Sequence, residues 1–179
     1  MTTTRERIIA GTEAVFDEHG FAGVGMDRLT EASGVSSRTL YKHMGSKTGL
    51  IAAVLDARRE RFDQAFDVLT IEDLFATLAS WADTEGARGC LFLRALGEDG
   101  RSAPEVDRAV SDYRDLLQRA MARIVEHETG RTDAVLAEQL LVLFEGATAA
   151  MSYRGRQAID AAHAAAKSLI GGLMGATPS

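Results

Sequence analysis

Apolar residues recur along this chain at spacings of three and four, the period of one face of an α-helix, and almost nowhere in the two-residue alternation of a strand. Over residues 5–19, Ile8, Ile9, Thr12, Val15 and Phe16 fall on one side, with Arg5, Arg7, Glu13, Asp17 and Glu18 on the other. Gly20 supplies the stop. A short segment from Met26 to Ser33 ends at Gly34-Val35-Ser36, where glycine permits a turn and Ser36 is placed to cap a helix from Ser37 to about Met44. Gly45-Ser46-Lys47 makes another break, with Ser46 as the expected cap of a long helix from Lys47 to about Phe66. Breaks at Thr70-Ile71, Gly86 to Gly89, Gly97 to Pro104, Gly130 to Thr132 and Tyr153 to Gly155 divide the rest into five helical segments. The pattern predicts an all-α fold with a three-helix N-terminal module and a larger helical remainder, divided at 1–51 and 52–179.

The last segment, roughly 156–174, carries Ala158, Ala161, Ala162, Ala164, Ala165 and Ala166. Small side chains let helix axes approach closely, so this is either a packing surface for a neighbour or a second subunit, or a surface rich in a good helix former.

The short helices around Gly34 have the layout of a helix-turn-helix, which needs a tight turn and a second helix whose outward N-terminal residues reach base edges. Leu29, Ala32, Val35 and Leu40 have the spacing of its internal core. The outward face offers Ser37, Arg38, Tyr41 and Lys42, hydrogen-bonding and cationic types suited to phosphates and bases.

Charge changes the picture only once it is mapped. The chain has 179 residues and a net charge of −6, which is unpromising for a DNA binder. Residues 1–51, however, hold six Lys/Arg and six Asp/Glu, so the whole excess lies beyond them. No acid occurs between Glu31 and Asp56, and Arg38, Lys42 and Lys47 all fall in that gap. A local basic face is embedded in an acidic protein. The single cysteine, Cys90, excludes an internal disulfide framework and fits a reducing compartment. The N-terminal residues run into an amphipathic pattern instead of an apolar signal core, and no apolar run approaches the ~18 residues of a membrane span. The expected location is the cytoplasm, with no membrane contact.

The stretch from Met26 to Leu50 resembles the DNA-binding signature of the TetR family of regulators, and the resemblance extends back through Gly20-Phe21 to the first helix. Ala32, Gly34-Val35-Ser36, Thr39-Leu40-Tyr41, His43 and Ser46-Lys47 match in register. The resemblance implies that Thr39, Tyr41, His43 and Lys47 contact backbone phosphates, with Ser37, Arg38 and Lys42 towards the bases. It also implies a variable C-terminal domain that binds a small-molecule effector and a homodimer formed through the last two long helices. Arg88 to Phe92 is similar to a stretch in one branch of the family. Three positions depart from the pattern. Val24-Gly25 stands where the family usually has a Thr or Ser cap, Met44 replaces the usual Phe, and Ser37-Arg38 occupies a pair that is often Lys-Gly. Arg38 is thereby either a bidentate reader of guanine or a phosphate clamp.

An effector pocket between helices would be mostly apolar with a few polar anchors. Trp81, Cys90, Phe92, Leu93, Tyr113 and Phe144 are candidate lining residues, or else plain core; Arg94, Glu98 and Glu145 are candidate anchors, or else paired or solvated charges. The four histidines, His19, His43, His127 and His163, are scattered, with no Glu-x-x-His pair and no glycine-rich phosphate loop. No enzyme, cofactor or metal is expected. The reading is a sequence-specific repressor of operator DNA released by a small molecule; the alternatives are a redox-responsive regulator acting through Cys90 and an activator without an effector.

Overall fold

The computed structural model describes residues 2–98 and 103–174, and every regular element among them is an α-helix. In chain order these are α1 (Thr4–His19), α2 (Met26–Ser33), α3 (Ser37–Met44), α4 (Lys47–Ala65), α5 (Ile71–Glu85), α6 (Leu91–Glu98), α7 (Pro104–Thr129), α8 (Ala134–Arg154) and α9 (Arg156–Met174). The all-α expectation holds, and the helix limits fall where the stop signals lie. Thr3 opens α1 with a reciprocal capping box to Glu6, and Gly20 closes it by donating its N–H to the Phe16 carbonyl at 2.9 Å. The segment around Gly97 to Pro104 lies partly outside the described residues.

The chain forms two compact units. The first comprises residues 1–61 and 91–113, the second residues 62–90 and 114–179. Residue 51 lies inside α4, which runs on without a break, and α6 with the first part of α7 groups with the N-terminal helices.

In the first unit α1 packs on α2 and α2 on α3. The crossing of α1 and α2 depends on Gly11, where a Cβ would lie 2.4 Å from the Ala32 carbonyl oxygen. Ile8, Phe16, Phe21, Leu29 and Leu40 are fully buried, and the rings of Phe16 and Phe21 stack with centroids 5.0 Å apart. Thr12 is buried as well, its hydroxyl satisfied by donating to the Ile8 carbonyl at 2.7 Å.

Two acids of α1 do not lie on the solvent side. Asp17 is 8% exposed, and the Glu13 carboxylate accepts from Arg58 at 3.0 Å and from Arg61 at 2.6 Å, both on α4. The helical period places them opposite Ile8 and Thr12, but α4 and α6 cover that side and supply arginines to it. A buried carboxylate is tolerable when it is paired and hydrogen-bonded.

In the second unit α9 packs on both α5 and α8. Its aromatic centre is built from Phe62 and Phe66, whose rings lie 4.0 Å apart, with Trp81 and Phe144 set edge-on to both. Such pairs add ~0.5–1.5 kcal/mol each beyond the area they bury. By length and mean hydropathy α8 would suffice to cross a bilayer. Its apolarity is partly spent on packing, since Leu136, Leu140, Phe144 and Met151 are buried, and Glu138 and Glu145 interrupt the rest.

Candidate nucleic-acid interface

The turn between α2 and α3 is made by Gly34, in the left-handed region at φ 64°, which terminates α2 and frees the chain to reverse. Ser36 then caps α3: its hydroxyl accepts from the Thr39 N–H at 3.2 Å and lies 2.9 Å from the Thr39 hydroxyl. Leu40 and Met44 are buried beneath α3, while Ala32 and Val35 are half-buried. Anchored on that side, α3 turns Ser37, Arg38, Tyr41, Lys42 and His43 outward as exposed side chains, and Thr39 is half-buried. Tyr41 is 45% exposed, far above the level of a core aromatic. Lys47, half-buried at the start of α4, donates to the Ala22 carbonyl at 3.4 Å. Ser46 caps α4 through the Gly49 N–H at 2.9 Å.

The weak point expected at Val24-Gly25 is present. Gly25 sits at the N-cap of α2 with no side-chain cap, whereas α1 and α3 are capped by Thr3 and Ser36. Two arginines that the sequence reading passed over also bear on this surface. Arg5 of α1 donates to the His43 carbonyl at 3.2 Å, holding the last turn of α3. Arg28, on α2, is hydrogen-bonded to His19. Arg5 lies 38 residues from His43 and carries no local signature, so the periodicity could not have singled it out.

Within the first unit α6 fastens the connection between α1 and α2. Arg94 donates to the Asp17 carboxylate at 3.3 Å, to the Asp17 carbonyl at 3.0 Å and to the Phe16 carbonyl at 3.4 Å. Glu98 accepts from the Phe21 N–H at 2.6 Å and the Ala22 N–H at 2.9 Å. A side chain at Gly20 would collide with that carboxylate, because its Cβ would lie 2.7 Å from Glu98 Oε2, and φ there is +78°. Of the two readings open to these residues from sequence, effector anchor or paired charge, the geometry shows both bound to helix-end carbonyls and amides of the first unit.

The candidate effector residues are divided between the units. Phe92 and Tyr113, both buried in the first, stack face to face at 3.9 Å, and Leu93 beside them is exposed. Trp81 and Phe144 belong to the aromatic centre of the second, the unit that also contains half-buried Cys90. Glu145 lines a cavity of about 340 Å³ between α7 and α8. Burial raises its carboxyl above the ordinary value, Arg114 opposing the shift and Glu138 adding to it.

Residues 8–54 match the family model described as bacterial regulatory proteins, tetR family. A curated relative from Corynebacterium glutamicum, the HTH-type transcriptional repressor AcnR, is 38% identical over 137 residues, which cover 74% of this chain and 71% of the relative. The HTH-type transcriptional regulator UidR of Escherichia coli is 36% identical over 58 residues, 32% of this chain and 30% of that protein. Among solved structures, a TetR-family transcriptional regulator from Streptomyces coelicolor superposes with a TM-score of 0.83 at 23% identity, covering 94% of this chain and 95% of that one.

Proposed function

This chain belongs to the TetR family of bacterial regulatory proteins, and from that premise we propose that it is a repressor that binds operator DNA as a homodimer and is released by a small-molecule effector. The family is one of DNA-binding regulators and not of enzymes. The observation that carries the reading is the outward face of α3, where Arg38 and Lys42 stand exposed beside Ser37, with no acid within reach along the chain from Glu31 to Asp56. Cations placed this way neutralise phosphates and address base edges. Thr39, Tyr41, His43 and Lys47 surround them as phosphate contacts. The repressive sense is supported by the printed role of the Corynebacterium relative.

One α3 spans too few base pairs for a specific site, so two copies must meet successive major grooves about 34–36 Å apart. Effector binding is assigned to residues 52–179, with Trp81, Cys90 and Phe144 of the second unit as the candidate lining. Its action is to change the spacing of the two α3 helices in the cytoplasmic dimer. Such coupling amounts to ~1–3 kcal/mol and is reciprocal.

Selection of bound fragments from the source genome tests this directly. Near-palindromic sites with half-sites one helical turn apart are expected, and the genes beside them indicate the effector class. Absence of any enriched sequence overturns the reading. For the effector, calorimetry with and without operator should give affinities that differ by the coupling factor; identical affinities overturn release by ligand.

A further inference from the structure

In the second unit a cavity of about 170 Å³ opens where the last turn of α5 meets the end of α8 and the start of α9. Its floor is buried and apolar, made by Ala79, Met151 and Ile159. Its mouth carries two exposed charges of opposite sign, Asp83 of α5 and Arg156 of α9. The space exists because the residues lining it from α5 and the following loop include Ala79, Ala82 and Ala87, each with no more than a methyl to fill it. Close-packed interiors hold few voids larger than a water molecule, and an apolar cavity on the order of 150 Å³ takes up a small apolar molecule. The site shares no residue with Trp81, Cys90 and Phe144, to which effector binding is assigned above.

The charges decide what kind of molecule fits. Among the described residues neither Asp83 nor Arg156 has a hydrogen-bonding or ion-pair partner for its side chain, and although they line one cavity they do not pair with each other. Each also stands against the dipole of its own helix. Asp83 lies in the last turn of α5, which holds no basic residue, and Arg156 opens α9, whose first turn holds no acid. A helix C-terminus favours a cation and an N-terminus an anion, so neither helix end gains from the side chain it carries. Both gain from a ligand that brings an ammonium to Asp83 and a carboxylate to Arg156. A simple carboxylate would set a like charge before Asp83, and a simple amine would do the same to Arg156. Only a zwitterion suits both.

We propose that this cavity is a binding site for a free α-amino acid with an apolar side chain. Arg156 takes the carboxylate through its planar fork, Asp83 takes the ammonium, and the side chain enters the space above Ala79, Met151 and Ile159. The two charged groups of an α-amino acid sit on one carbon, so the ligand bridges a gap too wide for a direct ion pair. The volume suits a branched aliphatic side chain, whereas a polar one would leave its donors and acceptors unpaired against the alanines. Met151 is the flexible residue of the floor and lets the fit adjust among aliphatic shapes. Neither operator DNA nor a second copy of the chain is needed for this binding.

Calorimetric titration of the full chain with L-leucine tests it. Saturable binding of one leucine per chain is expected at millimolar concentration or below. Isocaproate, which lacks the ammonium, and isoamylamine, which lacks the carboxylate, should each bind at least about tenfold more weakly. Asp83→Asn and Arg156→Gln should each weaken leucine by about tenfold, and because both residues are exposed the helical circular dichroism should not change. The two variants should also diverge on the single-charge probes. Asp83→Asn removes the like charge facing isocaproate and tightens it, and Arg156→Gln does the same for isoamylamine; a merely structural role would move neither. Failure of leucine, isoleucine and valine alike to bind overturns the site. Isocaproate as tight as leucine overturns the zwitterion, and variants that bind leucine as the parent does overturn the roles of the two charges.

Discussion

Arg94 of α6 holds Asp17 of α1 twice, through its carboxylate at 3.3 Å and its main-chain carbonyl at 3.0 Å. One guanidinium thus neutralises a buried acid and satisfies the end of the helix that carries it, a task that suits a planar fork of donors and not an ammonium. Because Asp17 is buried, removing the arginine takes a charged, hydrogen-bonding partner from its carboxylate. Arg94→Ala should lower stability by about 1–3 kcal/mol, and Arg94→Lys should recover only part of the loss. Denaturant midpoints at unchanged slope measure both, and a full recovery by lysine would show that charge alone matters.

Gly25 offers the opposite case, a position where stability is left unclaimed. Its backbone, φ −80° and ψ 159°, already has the N-cap conformation, and an added Cβ meets nothing within 4 Å. Gly25→Ser should stabilise the chain by roughly 0.3–1 kcal/mol, through the missing cap and a less flexible unfolded chain. Thermal unfolding of the two proteins side by side checks the sign. A loss would mean that the introduced hydroxyl cannot reach the first-turn amides of α2.

Glu145 predicts a pH dependence. Its carboxyl titrates above the ordinary value of 4.5, so in the window just above that value the folded chain holds a proton that the unfolded chain has released. Stability therefore falls as pH rises through the window. Glu145→Gln should abolish that fall and be the more stable form at neutral pH, at concentrations where the chain is monomeric. Below the ordinary carboxylate range the two should converge. Parallel stability curves across pH 4 to 7 would refute the assignment to this residue.

On DNA, Arg38 and Lys47 should behave differently although both are cations of the same surface. If Arg38 pairs with guanine, Arg38→Ala costs ~1–3 kcal/mol on the cognate operator and relaxes preference at one base per half-site. Lys47→Ala should weaken cognate and unrelated DNA alike and flatten the salt dependence, by a log–log slope of about 1 per phosphate contact and about twice that in a dimer. Titrations at several salt concentrations, on operators altered position by position, separate the two. An even loss for Arg38→Ala across all operator variants would make it a phosphate clamp.

The helices were legible in the sequence because their signals are local: Gly20, Gly34 and Gly45 close three of them, and Ser36 and Ser46 cap the two that follow. The outward residues of α3 were legible for the same reason, since Leu40 and Met44 point the other way along one short helix. Glu13 and Asp17 were misplaced on the solvent side, because the arginines that hold them lie 45, 48 and 77 residues along the chain. The same distance hid the work of Arg94 and Glu98, which periodicity alone could not tell from charges awaiting a ligand. The pocket candidates suffered from a different ambiguity. Trp81 and Phe144 have the composition of a binding cavity, and an aromatic centre uses the same residue types.

The fastening of α6 to the α1 end also limits how this regulator can be recombined. Residues 1–51 contain the whole of the proposed reading surface, yet Glu13, Asp17 and the amides of Phe21 and Ala22 bind Arg58, Arg61, Arg94 and Glu98. A chimera that grafts only those residues onto a foreign sensor would carry two acids parted from these arginines and two amides parted from Glu98 across the splice. The transferable cassette is residues 1–61 together with 91–113. Because residues 62–90 intervene, no single cut can lift it, and specificity is more readily exchanged by rewriting the outward side chains of α3 than by swapping heads.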